Sequence, residues 1–236
     1  RGLKQRNFWI VEQLMGAQGH NHIGYLPRLN QAKLWAYQAM ARGCENMLFF
    51  RWRGATRGAE QFCLGIIDAH NQNGRKFIEA QAFINDIAQY ESALQQPISA
   101  DVAILYDFDN IKSWQIQQQS DAFDFTHEFT RIYTPFHSHN VMTDVLSVAK
   151  DFSRYKVVVL PAQQIIDDAL AQRLDDFVKS GGILLAGYRC GIKDRDNNMH
   201  FKHVAPYGLT HVLGINVTES ESLGQGMSAP ITGFSQ

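Results

Sequence analysis

Residues 8–15 read Phe-Trp-Ile-Val-Glu-Gln-Leu-Met. Large apolar side chains stand at successive positions around a single carboxylate, Glu12. Bulky residues facing both ways fit a strand buried on both faces, as strands of parallel sheets are. The chain that follows decides the fold. Gly16, Gly19, Gly24 and Pro27 mark a loop. Asn30 is placed to cap a helix carrying Leu34, Tyr37, Met40 and Ala41 on one face, and Gly43 stands where a helix ends. Residues 47–50 form a second short apolar run. Strand, helix, strand in that order is a parallel unit.

Beyond it, a loop from Gly54 to Gly58 leads past Glu60 to the apolar residues 63–67, and Asn73-Gly74 signals a turn. Phe77, Ala80, Ile84 and Ile87 recur at helical spacing, which predicts a long amphipathic helix over 75–94, ended by Gln95-Gln96-Pro97. The pattern then restarts. Residues 102–106 predict a strand with Asp107-Phe108-Asp109-Asn110 as its polar exit loop. A helix is expected over 121–132, with Pro135 near its end. Residues 156–160 read as a buried strand. Leu170, Leu174, Phe177 and Val178 give a helix over 167–180 closed by Gly181-Gly182, and 183–186 is the next strand. Strands alternating with helices mean an open parallel sheet covered on both faces.

Two strand-plus-helix units cannot cover a sheet by themselves. They make sense as the last βα units of a (β/α)8 TIM barrel whose earlier units lie upstream. The expected organisation is α/β throughout: barrel units over 1–97, an open parallel α/β domain over 98–224, and a Gly- and Ser-rich exit linker over 225–236.

Hydrophobic residues make up 45% of the 236 and charged ones 19%, which suits a folded chain with a real core. A net charge of −1 gives no footing for nucleic acid or an acidic membrane, and no apolar run is long enough to span a bilayer. Cys44, Cys63 and Cys190 lack CxxC spacing, so reduced thiols in the cytoplasm are the expectation. The pairs His20/His22 and His137/His139 lack helical i, i+4 spacing or a Cys/Asp cluster, so no metal is expected. Asp107/Asp109 and Asp194/Asp196 lack the glycine and distal glutamate of a calcium loop. Cys190 falls out of phase with the small residues that a nucleophile elbow needs, Tyr188 and Ile192 standing where they belong. No phosphate-cradling glycine motif is present, so no nucleotide cradle is expected.

Two carboxylates remain. A glutamate near a strand end is ordinarily solvated or ion-paired. A charge inside an apolar strand is costly unless it is paired or functional, and barrel enzymes place their catalytic groups at the carboxyl ends of strands. A retaining glycosidase needs two carboxylates about 5–5.5 Å apart, and Glu12 is a candidate for one of them. Glu60, in the loop after the next strand, is open to three readings: proton transfer, accepting bonds from sugar hydroxyls, or a loop salt bridge with Arg53 or Arg57. Phe50 and Trp52 are candidate platforms for a sugar ring, against the commoner role of core aromatics.

Several separated runs carry a resemblance: Phe8-Trp-Ile-Val-Glu-Gln, Pro27-Arg28 through Leu34-Trp-Ala-Tyr-Gln-Ala, Leu48-Phe-Phe-Arg-Trp-Arg and Gly58-Ala-Glu-Gln in the first half. In the second half they are Leu105-Tyr-Asp-Phe-Asp-Asn, Tyr155-Lys-Val-Val-Val-Leu-Pro-Ala, Gly181-Gly182 and Leu213-Gly-Ile. In this order they resemble the β-galactosidases of glycoside hydrolase family 42. The resemblance implies the end of a catalytic barrel followed by a flavodoxin-like (class I glutamine amidotransferase-like) domain that mediates trimerisation, and hence a homotrimer. It puts Glu12 on the nucleophile, Glu60 on a galactose-binding acid and Phe50 on an aromatic lining the sugar site. The acid/base glutamate belongs to an earlier strand outside this sequence, so the chain alone is expected to be inactive. Two positions depart from the family pattern. Gly19-His20 stands where many members have Asn-Trp, leaving His20 as the substrate-loop residue, and Cys63 stands where many have His. Both are expected to touch substrate contacts. The implied activity is hydrolysis of terminal β-D-galactosyl residues. The alternatives are a related β-glycosidase or α-L-arabinopyranosidase, or a non-catalytic oligomerisation module.

Overall fold

The computed structural model describes residues 1–94, 96–223 and 226–230. The chain divides into two compact units, one running Leu3–Ile98 and one from Ser99 onward, with Arg1 in the first and Gly2 in the second. The linker expected over 225–236 lies mostly outside the described residues.

The first unit is strand, helix, strand, helix: β1 (Phe8–Leu14), α1 (Gln31–Met40), β2 (Cys44–Phe50) and α2 (Arg75–Leu94). The two strands pair in parallel. The core joins Met15, Ala32, Ile66, Ile67 and Ala80, with Trp35, Phe49 and Phe77 against them. The burial expected on both faces of β1 is absent: Trp9 is 58% and Val11 70% exposed. A two-stranded sheet gives β1 one neighbour and its faces too little cover. Both helices are turned from the faces read in the sequence. α1 buries Ala32 and Ala36 and exposes Leu34, while α2 buries Ala80 and Phe83 and exposes Ile84. The reason lies between the helices. Tyr37 meets Phe83 edge-on at 5.4 Å and also donates to Asp86, which pairs with Lys33. Asn30 precedes α1 as expected but with φ 62 and no side-chain cap bond.

The second unit is an open sheet of four strands in the order β4-β3-β5-β6, every pair parallel. These are β3 (Val102–Tyr106), β4 (Thr143–Ser147), β5 (Val157–Leu160) and β6 (Ile183–Ala186). The reversal of order between β3 and β5 is the flavodoxin-like arrangement. β3 shows why both faces need helices. Ala103 and Leu105 join the cluster containing Leu170, Leu174 and Phe177 of α5 (Asp168–Lys179). Val102 and Ile104 join the one packed by Phe129, Ile132, Tyr133 and Phe136 of α4 (Phe125–Ser138).

Two expectations fail here, and two elements were not expected. Residues 107–110 are not an exit loop: Asp107 accepts from the Asp109 N–H and caps α3 (Phe108–Ile116). The helix expected over 121–132 starts later, at the cap Asp124, and runs past Pro135, which lies inside α4. β4 and the short α6 (Thr210–Leu213) have no counterpart in the sequence reading. In β4 a buried Asp144 interrupts the apolar run. It is tolerated because Tyr155 donates to it at 2.8 Å and Arg154 at 3.1 Å.

Candidate active site

The β1–β2 ladder is not regular. Ile10 pairs with Met47 and Gln13 with Phe49, so three steps on β1 oppose two on β2. The extra residue falls at Val11–Glu12, where two successive side chains are exposed in place of the usual alternation. A bulge bends the strand and re-aims a side chain, and such bulges gather at barrel rims and active sites. Among the described residues Glu12 makes no hydrogen bond or ion pair, so its carboxylate is held by the backbone alone.

Beyond the strand ends two segments close on each other. The Leu64 N–H donates to Ala17 O at 2.8 Å, and Gln18 Nε2 to Leu64 O at 2.9 Å. Gly16 is pressed so near Leu64 that a Cβ would lie 2.6 Å from its carbonyl oxygen, which only glycine avoids. The Gly24 N–H returns to Gln18 O and closes a small loop that presents His20 to solvent.

Arg51 is the residue that sequence reasoning missed. Its Nη1 lies 2.8 Å from Glu60 Oε2, and its guanidinium sits over the Phe50 ring, 5.1 Å from the centroid. The salt bridge considered for Glu60 therefore exists, but its partner is Arg51 and not Arg53 or Arg57. Arg53 donates to Asn71 instead. The signal was present in Phe49-Phe50-Arg51, where the arginine directly follows the strand. Phe50, Arg51 and Glu60 thus form one cluster, and Phe50 is half-buried. Trp52 packs edge-on to Phe77 of α2 at 6.2 Å, which gives it a core partner as well as an exposed face. Among the described residues no hydrogen bond joins Glu12 to Glu60 or His20.

Cys63 does not reach solvent. It is 4% exposed and its Sγ donates to Gly19 O at 3.3 Å. Cys190 is enclosed as well, and burial pushes its thiol up to about 12, the reverse of what a thiolate nucleophile requires. Asp107 and Asp194 accept from nearby backbone N–H groups, which is capping and turn chemistry. Among the described residues no group of three or more His, Cys, Asp or Glu is arranged to hold a metal.

A parallel strand–helix unit with a bulged, exposed carboxylate, followed by an open parallel α/β unit, defines the class: an α/β protein built of two parallel-sheet units. The comparisons with known proteins narrow it. Residues 100–236 match the family described as the β-galactosidase trimerisation domain, and residues 1–90 the one described as β-galactosidase. The chain belongs to the β-galactosidases of glycoside hydrolase family 42. A β-galactosidase of Clostridium cellulovorans is 32% identical over 226 residues, which are 95% of this chain and 34% of that protein. The solved polyextremophilic β-galactosidase from the Antarctic haloarchaeon Halorubrum lacusprofundi is similar at TM-score 0.83 and 30% identity, over 95% of this chain and 33% of that one. A β-galactosidase from Bacillus circulans sp. alkalophilus gives 0.83 at 27% identity, over 94% and 33%. The chain spans about a third of the length of the relatives it matches.

Proposed function

We propose that this chain is part of a retaining exo-β-galactosidase in which Glu12 is the nucleophile. The carboxylate attacks the anomeric carbon and the glycosidic C–O bond breaks. The departing oxygen takes a proton from an acid/base glutamate on a barrel strand outside these 236 residues. Water, deprotonated by that same group, then releases galactose with its configuration retained. Glu60 accepts bonds from the sugar hydroxyls. Arg51 keeps it oriented through a charge-assisted bond and leaves one oxygen for the substrate. Phe50 lends a ring face and His20 borders the entrance. No cofactor takes part.

The observation that carries this reading is the bulge, which leaves Glu12 exposed without a partner on a parallel strand followed by the Phe50–Arg51–Glu60 cluster. The deciding experiment uses the full-length enzyme. Glu12→Ala abolishes turnover of an aryl β-galactoside, and azide restores it by attacking the anomeric carbon directly, giving a galactosyl azide of inverted configuration. A Glu12→Ala enzyme of near-normal activity would sink the assignment.

The second unit serves assembly. Its family is described as a trimerisation domain, and we propose that the full-length enzyme is a homotrimer. Sedimentation of that enzyme checks this, with a monomer as the adverse result. Three buried, unbridged cysteines suit a reducing compartment such as the cytoplasm. No helix among the described residues is long and apolar enough to cross a membrane.

A further inference from the structure

The residue at position 63 ties together the two loops that the galactosidase reading assigns to sugar contact, and the inference that follows rests on that reading. The Cys63 thiol donates to the Gly19 carbonyl at 3.3 Å, one residue before His20. Its backbone N–H donates to the Glu60 carbonyl at 2.9 Å, closing the turn that Glu60 opens. One buried residue is therefore bonded on one side to the His20 loop and on the other to the sugar-binding acid. The loop has little freedom to compensate if this tie is cut. A Cβ on Gly19 would lie 1.7 Å from His22 O, so the backbone there is already folded against itself.

We propose that Cys63 is a positioning residue that fixes the His20 loop relative to Glu60, and so sets the affinity for the galactoside without taking part in bond cleavage. The reason for this division is where each group is anchored. Glu12 is held by the β1–β2 ladder, which Cys63 does not touch. The partner of Cys63 is the Gly19 carbonyl of the His20 loop, and removing the thiol donor leaves that carbonyl unpaired beside the loop. Interactions equal in ground state and transition state change KM and leave kcat.

The test uses the full-length enzyme and an aryl β-galactoside. Cys63→Ala raises KM roughly 2- to 10-fold, the range of one net hydrogen bond, with kcat held. Cys63→Ser keeps a donor and brings KM back toward the wild-type value. In a His20→Ala background the effect of Cys63→Ala shrinks, because it acts through that loop. An unchanged KM in Cys63→Ala, or a fall in kcat at constant KM, overturns the proposal. If the alanine variant does not fold, Cys63→Val fills the volume without a donor and must show the same rise; an unchanged KM there is equally fatal. A wild-type enzyme inactive on β-galactosides overturns the underlying reading. An active one whose KM ignores position 63 overturns the positioning role alone.

Discussion

Val11 on β1 is 70% exposed, whereas Ala103, Ile104 and Leu105 on β3 are fully buried. Both strands are parallel and apolar, and both are followed by helices. The difference is cover. β3 has a strand on each side and a helix on each face, so each of its side chains meets a partner. β1 has β2 alone, and its bulge spends two positions on exposure. In the unit with complete cover the carboxylate that follows β3, Asp107, is consumed as a cap. The unit with incomplete cover leaves Glu12 unpartnered. The exposure of Trp9, Val11 and Leu48 follows from the same shortage, because a sheet of two strands leaves its faces with too little cover.

The contrast can be broken in several ways. The most severe is activity itself: the 236 residues alone are expected to turn over no aryl galactoside in a chromogenic assay, since the proposed mechanism takes its acid/base from a strand outside them. Detectable turnover that is lost in Glu12→Ala would place both groups in this chain. Next in size is the core. Leu160→Ala costs the second unit about 2–5 kcal/mol, the usual range for a leucine that leaves a cavity. Native-state hydrogen exchange at the amides of β3 and β5 reads that loss. Asp107→Ala costs about 1–3 kcal/mol by the same measurement, because α3 loses its cap and the buried Gln163 amide loses a partner at 2.7 Å.

Acid tests whether the two units differ in electrostatics as they do in cover. Lys33, with Tyr37, holds the Asp86 carboxyl below the usual range in the first unit. In the second, Lys179 does the same for Asp175. At Asp167 burial opposes the charge, but the Leu170 N–H and Arg195 outweigh it. A depressed folded-state value stabilises the fold above the unfolded-state pKa of about 3.9, and that contribution fades as pH falls through the lower folded-state value. Both units are therefore expected to weaken together below about pH 4. An acid titration that unfolds one unit and spares the other would show that the contrast extends beyond packing. The smallest effect is Trp9→Ala, expected within about 0.5 kcal/mol in this chain, as for exposed positions generally. A larger loss by urea unfolding would mean that β1 is covered after all.

The bounds of α2 and β3 were legible because their patterns are long or unbroken. The same signals misplaced the buried faces of α1 and α2, since periodicity fixes a stripe to within one residue, and the Tyr37–Phe83 contact decides which neighbour turns inward. α3 was hidden because Asp107-Phe108-Asp109-Asn110 looks like a loop until one asks which N–H its first aspartate caps. α4 starts later than the expected residue 121 because Asp124 is the residue that accepts from His127 N. At the candidate site the sequence named Glu12, Phe50, Glu60 and His20. It was silent on the bulge, on Arg51 as the partner of Glu60 and on the tie through Cys63. Each depends on pairing across the chain, which no local pattern reports.

The bulge between Ile10 and Gln13 also changes which mutations matter. A substitution at Val11 alters a surface, but deleting it removes the extra residue between Ile10 and Gln13 and brings that part of β1 back into step with Met47–Phe49, leaving the shift between Phe8 and Trp9. Glu12 then shifts by half the strand period and its side chain turns to the opposite face. The gene would lose one codon and the protein would keep every side chain assigned to the site, yet the carboxylate would point away from the others. For this enzyme reading, the spacing between Ile10 and Gln13 is as much a part of the catalytic apparatus as the glutamate it displaces.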